Sequence, residues 1–262
     1  MSDASDDVPA GSPLTAVPAD APLTAVPADS PLTAVPADAP LTAFTMYAVF
    51  RSHRGADALP DSGRDGVAAE VDDLLAQLAG KGVVTRGVYS VSGFRHDADY
   101  LFWWVAPNSE DLQEAYLRFL RTRLGRASEA VWSVIGVHRD AEFNKAHIPA
   151  FLAAMEPKSY VCVYPYNRTN EWYLLDPAER GSMLREHGVM GREFPDVLAN
   201  TVAAFALGDY EFLLAFESDE LHRIVDLMRH LRGAQARAHT RLETPFFTGP
   251  RRAVAEIVAT LP

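Results

Sequence analysis

The stretch YVCVYPYNRTNEWYLLDPAERGSMLREHGVMGR (160–192) gathers the side chains best suited to do chemistry. Tyr164, Tyr166 and Arg168 alternate along a β-branched, aromatic run, so on a strand they share one face. An arginine there can hold a carboxylate through two parallel N–H bonds. A tyrosine can donate a proton or an electron, although with a pKa of about 10 it is a poor base at neutrality. His187, followed by Gly188, closes what reads as a helix opened by Asp176 at the N-cap and Pro177 at the first helical position. An imidazole at a helix end either answers the macrodipole or, when neutral, ligates a haem-type iron. Beside it Gly188 leaves room for a flat macrocycle. Each of these residues also has a plain structural reading. Tyr164 and Arg168 fit a half-buried aromatic strand with an exposed arginine, and Trp172 fits a core. Arg192 fits a helix surface and His147, in NKAHIPAF, a solvated loop.

The surrounding periodicities supply elements to carry these residues. TMYAVFRSH (45–53) reads as a strand. Apolar positions 67, 71, 74, 75 and 78 have helical spacing, and Gly80 and Gly82 stop that helix. Strands follow at 83–93 and 99–106, a helix at about 110–124 and a strand at 130–139. This is the β-α-β-β-α-β order of a ferredoxin-like unit. The order recurs: strand, one or two, from 160; helix from Pro177 to Gly188; a helical stretch at about 195–205; strand 208–218; helix 220–232; strand 240–249. The prediction is an α+β protein of two ferredoxin-like halves, 44–140 and 160–262, forming a dimeric α+β barrel-like body. A linker, 141–159, joins them.

Residues 1–43 are different. A proline-rich nonapeptide, APLTAVPAD with a Ser variant, repeats there. Proline removes an amide donor and fixes φ, so a disordered tail with polyproline II character is expected. It lacks the basic and apolar regions of a signal peptide. Net charge is −11, which argues against nucleic acid as a partner. No apolar run approaches the roughly 20 residues needed to span a bilayer. Cys162 is the only cysteine, so disulfides, cysteine zinc sites and iron–sulfur clusters are excluded, and a reducing cytoplasm is the expected location.

Five pieces then carry a family resemblance: YPYNR (164–168), WYLLDP (172–177), REHGVMGR (185–192), DVLANTVAAFALGDYE (196–211) and HTRLETPFFTG (239–249). In this order and spacing, from Phe44 to Arg252, the chain resembles the coproheme decarboxylases of the chlorite dismutase superfamily, in their actinobacterial form. The resemblance implies a homopentamer with the porphyrin in the C-terminal half. It implies His187 as proximal iron ligand, Tyr164 as catalytic tyrosine, and Arg168 near the propionates. Tyr166, Trp172 and Arg192 are the further expected cofactor contacts. His147 matches the distal histidine that acts as base toward hydrogen peroxide. Ala199 falls where chlorite dismutases place a distal arginine and firmicute decarboxylases a glutamine.

The activity so implied is hydrogen peroxide-dependent oxidative decarboxylation of two propionates of coproheme (Fe-coproporphyrin III) to vinyls, giving haem b through a tyrosyl radical. Coproheme is then both substrate and redox centre, and a transient contact with the ferrochelatase is a further expectation. Two alternatives stay open. One is a chlorite dismutase or haem peroxidase, which needs distal chemistry that Ala199 does not supply. The other is a non-catalytic haem-binding protein in which Tyr164 and Arg168 only pack.

Overall fold

The computed structural model describes residues 43–140, 142 and 148–262. The nonapeptide repeats and His147 lie outside them. The first half runs β1 (Phe44–Ser52), α1 (Arg64–Ala79), β2 (Val84–Ser90), β3 (Tyr100–Ala106), α2 (Ser109–Phe119), α3 (Arg123–Arg126) and β4 (Ser128–Val137). The second runs β5 (Tyr160–Arg168), α4 (Asn170–Leu174), α5 (Pro177–Gly191), β6 (Leu198–Ala203), β7 (Phe212–Ser218), α6 (Leu221–Leu231), β8 (Thr240–Leu242), β9 (Phe247–Pro250) and α7 (Val254–Thr260). The expected order therefore occurs twice. None of the described helices is long and apolar enough to cross a membrane.

Strand order in the sheet is β2-β3-β1-β4-β6-β7-β5-β8, with β9 also paired to β5. Each half has the ferredoxin arrangement, and the halves meet at two thin seams. At one, β4 joins β6 through the single pair Val137 and Ala203. At the other, Tyr89 bridges Arg251, and Arg252 N donates to Val88 O at 2.9 Å. Glycine is required there: a Cβ on Gly249 would sit 1.8 Å from Ser90 O. Closing both seams curls the sheet into a barrel-like body. Its inner core mixes Tyr47, Val49, Leu101 and Trp103 of the first half with Val161, Val163, Leu213 and Ala215 of the second.

The two outer faces are covered unequally. On the first half, α1 buries Val67, Ala68, Val71, Leu74 and Leu78, the stripe that its periodicity predicts, against Phe50, Phe102 and Trp104. On the second half, α6 buries Ile224 and Leu227. The counterpart of α1 is α5, and over 15 residues it buries only Gly181. One wall of the second half is thus a helix with almost no core of its own.

Four expectations need correction. The stretch 195–205 is not helical; it contains strand β6. Leu198, Asn200 and Val202 point inward there, and the polar member is held by protein partners, so period-two burial overrides the alanine-rich helix propensity. A second strand after Arg168 is replaced by the short helix α4, whose Trp172 is buried. Helix α5 does not stop at Gly188 but runs on to Gly191. Gly188 lacks the positive φ of a stop glycine, so the helix continues through it. His187 therefore lies within the helix, and the end-cap reading of its imidazole falls. The predicted last strand is also divided, into β8 and β9.

One buried carboxylate ties the halves together. Glu217 of β7 is fully buried and accepts from Arg86 of β2 at Nε, 2.9 Å, with Nη2 at 2.8 Å. Its Oε1 also accepts from Asn200 Nδ2 at 3.0 Å, and its Oε2 from Lys158 N at 3.3 Å. Arg86 Nη1 donates to Met155 O, and Asn200 Oδ1 accepts from Phe151 N. The linker is thereby stitched to both half-sheets. Removing one partner of such a pair strands the other charge in a dry interior. Glu217→Ala is expected to lose about 3–5 kcal/mol of unfolding free energy in urea denaturation. The double change Arg86→Met with Glu217→Leu is expected to lose much less. A single variant within experimental error of the parent would show that the pair does not join the halves.

Candidate functional site

Strand β5 holds the first wall of the site. Its residues alternate: Val161 and Val163 enter the inner core, while Cys162 and Tyr164 face outward toward α6. Tyr164 is 4 % exposed. Phe246 lies over its ring at 4.6 Å between centroids, with Phe216 at 6.1 Å. Its hydroxyl donates to Met228 Sδ at 3.6 Å. Burial, above all, pushes its pKa well above the ordinary tyrosine value. Nearby, Glu243 is gripped by Arg232 at 2.6 Å and Arg237 at 2.8 Å, so those charges largely cancel.

Toward the end of β5 the outward face turns cationic. The Arg168 guanidinium sits 4.0 Å from the Trp172 ring centroid and 4.8 Å from that of Tyr166. Its Nη1 donates to Ala236 O at 2.9 Å. Two aromatic platforms and one carbonyl fix this side chain and leave other N–H groups for an anion. Tyr166 shares a 3.0 Å hydrogen bond with Thr240. Trp172, itself buried, acts as the support beneath Arg168 and neighbours His239. Tyr164, Tyr166 and Arg168 thus share one face, as the alternation predicts, and the short helix α4 brings Trp172 to them.

The opposite wall is α5. Asp176 caps it by accepting from Ala178 N at 2.8 Å, as its sequence signature predicts. The His187 ring is open to solvent. Even so, its pKa is lowered, first by burial and then by the Arg168 charge, with Glu186 opposing. The imidazole is therefore neutral at pH 7, the form that ligates metal. Among the described residues no group of three or more His, Cys, Asp or Glu could hold a metal ion. A lone imidazole suits an iron whose other ligands arrive with a macrocycle. The helix surface beside His187 is uncrowded: a Cβ on Gly191 would meet nothing within 4 Å, and one on Gly188 only Arg192 Nη1 at 3.9 Å. The Arg192 side chain, exposed and without hydrogen bond or ion pair among the described residues, folds back toward that turn.

Ala199 lies on β6, in register with Phe216, which pairs in turn with Cys162. It shares the outward sheet face with Tyr164 and brings only a methyl group. Met228, Phe246 and Thr240 complete the surroundings of the two tyrosines. Sequence reasoning did not single them out; HTRLETPFFTG contains two of the three, and only the order of the motif hinted at them. The position of His147 lies outside the described residues.

Depression of the His187 pKa has a measurable sign. The unfolded chain takes up its proton first, so stability falls as pH drops below about 6.5 toward the folded midpoint. In ligand-free protein the His187 ring proton resonance should titrate below the ordinary histidine range. Arg168→Gln should raise the midpoint only in part, because burial is the larger cause. A midpoint at or above the ordinary value would show that neither burial nor Arg168 disfavours the charged imidazole.

With this geometry in hand, comparison with known proteins is informative. Residues 64–252 match the family described as chlorite dismutase. A coproheme decarboxylase of Mycolicibacterium smegmatis is 56% identical over 220 residues, covering 84% of this chain and 93% of the relative. Those of Thermus thermophilus and Staphylococcus carnosus are 29% and 26% identical, covering 65% of this chain and 72% and 77% of their own. Among solved structures, the chlorite dismutase of Candidatus Nitrospira defluvii in complex with imidazole superposes with a TM-score of 0.74 at 23% identity, covering 84% of this chain and 94% of that one. At that identity the likeness speaks for the fold alone, while the family match and the mycobacterial relative settle kinship: the chain belongs to the chlorite dismutase family.

Proposed function

We propose that this protein is a coproheme decarboxylase. It converts coproheme to haem b by removing two propionate carboxyls as carbon dioxide, with hydrogen peroxide as oxidant. What carries the reading is that α5 buries only Gly181 and leaves His187 accessible, while Arg168, near enough for its charge to lower the His187 pKa, and buried Tyr164 lie on the outward face of β5. The 56% identity to a coproheme decarboxylase names the macrocycle that fits.

Coproheme is the substrate and carries its own iron, which supplies the redox chemistry once peroxide is added. The geometry supports the following roles for the chain, and the resemblance supports that of His147. His187 presents a neutral nitrogen to the iron. Arg168, held between Trp172 and Tyr166, and Arg192, over Gly188, take carboxylates. Tyr164, buried and kept protonated, yields a hydrogen atom to form a radical and regains one from a propionate. His147 takes the proton of hydrogen peroxide, since histidine titrates near neutrality. Ala199 offers no cation with which to hold an anionic chlorine oxide, which disfavours chlorite as substrate. A homopentamer in the cytoplasm, with the porphyrin in the C-terminal half and a transient contact with the ferrochelatase, belongs to the same reading.

Mass spectrometry of the porphyrin during peroxide titration should record two successive losses of carbon dioxide. In Tyr164→Phe, which keeps the ring and its stacking on Phe246, coproheme should still bind and neither loss should occur. Haem b formation at a comparable rate in that variant would end the radical role of Tyr164. His147→Ala should slow turnover by about 10²–10⁴-fold at neutral pH, the usual worth of general base catalysis, and progressively less as alkali forms hydroperoxide unaided. An equal deficit at low and high pH would leave His147 only a structural part.

A further inference from the structure

The Tyr164 hydroxyl has a single hydrogen-bond partner among the described residues, and it is unusual. Met228 Sδ, 3.6 Å away, is a thioether. Such a sulfur accepts a hydrogen bond weakly and does not act as a base near neutrality. The phenol ring is already fixed by Phe246 and Phe216. Met228 follows the buried Leu227 on α6, and that helix packs against the Tyr164 face through Ile224 and Leu227. Its sulfur is therefore aimed by the fold. The carboxylate whose charge bears on the phenol, Glu243, is already bound to Arg232 and Arg237. Among the described residues no free base addresses the hydroxyl.

We infer that Met228 is a positioning residue for Tyr164: its sulfur directs the phenolic hydrogen yet cannot remove it, so the base for that proton has to arrive with the substrate. This rests on the reading of Tyr164 as the redox-active group. Oxidation removes one electron and one proton from the phenol. The electron goes to the coproheme iron that peroxide has oxidised. The proton goes to a carboxylate of the bound coproheme. The phenoxyl radical then regains a hydrogen atom from the propionate chain, and the carbon radical left there gives a second electron to the same peroxide-oxidised iron as its bond to the carboxyl breaks, releasing carbon dioxide and leaving the vinyl. Without substrate the tyrosine stays protonated and reduced, and peroxide alone does not draw a radical from it.

The hydrogen bond is tested in ligand-free protein labelled with carbon-13 at the tyrosine Cζ, using Tyr164→Phe to assign the resonance. Met228→Leu preserves volume and helix packing and deletes the acceptor. Met228→Gln supplies a stronger one. The Tyr164 resonance should move in opposite directions in the two variants while the other tyrosine signals stay. A resonance unmoved in both overturns the proposal. The missing base is tested with coproheme. Met228→Leu should lower kcat roughly fivefold, the rate equivalent of one ordinary hydrogen bond, with coproheme Kd unchanged. Met228→His places a base at the hydroxyl, so its turnover should gain a further titration in the imidazole range, one that persists when His147 is also replaced by Ala. An unaltered pH profile overturns this part. If Tyr164→Phe itself turns over normally, the redox reading of Tyr164 has failed, and the carbon-13 result still judges the hydrogen bond on its own.

Discussion

The architecture depends on a carboxylate with no access to water. Glu217 is desolvated completely, and burying such a charge is costly unless every lone pair is answered. Arg86, Asn200 and the Lys158 amide answer them. Those three donors come from the first half-sheet, the second half-sheet and the linker. The seams themselves contribute few backbone bonds, one strand pair at one side and a bridge with one flanking bond at the other. A nonspecific apolar core would let two ferredoxin-like halves slide. A buried ion pair with directional partners permits one register. Through Phe151 N and Met155 O, the same network fixes the chain that follows His147.

With the barrel fixed, function follows from an omission. Two halves of one design cover their outer faces differently. The first fills its face with five side chains of α1 and a set of stacked rings, and nothing can enter. In the second, α5 contributes three glycines, Gly181, Gly188 and Gly191, and one buried residue. Glycine in a helix interior costs about 1 kcal/mol each relative to alanine. Such a helix is poorly supported by propensity and by packing alike. A flat apolar macrocycle beside this helix would supply the missing core, and the bond from iron to His187 would tether the helix over it. Binding that favours the folded helix stabilises it by mass action.

Much of this was legible in the sequence because local signals agreed with the tertiary fold. The stripe of α1, the Asp176-Pro177 start of α5 and the alternation of β5 all follow from period and capping alone. The failures share a cause: partners distant in sequence decided the outcome. Asn200 interrupts an apolar alternation, so β6 looks helical until Phe151, Ala215 and Glu217 are seen to satisfy its amide. Gly188 looks like a stop, but a stop requires a left-handed φ that the packed helix does not impose. Met228 and Phe246 carry no motif chemistry. They matter because α6 and the segment before β9 converge on Tyr164, and no spacing rule encodes that convergence.

The two walls of the site also differ in rigidity, and the division suits the chemistry. Tyr164 is on β5, which is paired with β7 on one side and with β8 and β9 on the other. Every register there is fixed by backbone bonds, and the phenol is further held by Phe246 and Met228. A hydrogen-atom transfer falls off steeply with distance and angle, so its donor belongs on the stiffest element. His187 has a different task. As the proposed iron ligand it would have only to follow the metal, and a neutral imidazole on a thinly packed helix would suit admitting a macrocycle and later releasing it. On that proposal, order is spent where the bond-breaking geometry would be decided, and the loosely packed side is left for exchange of substrate and product.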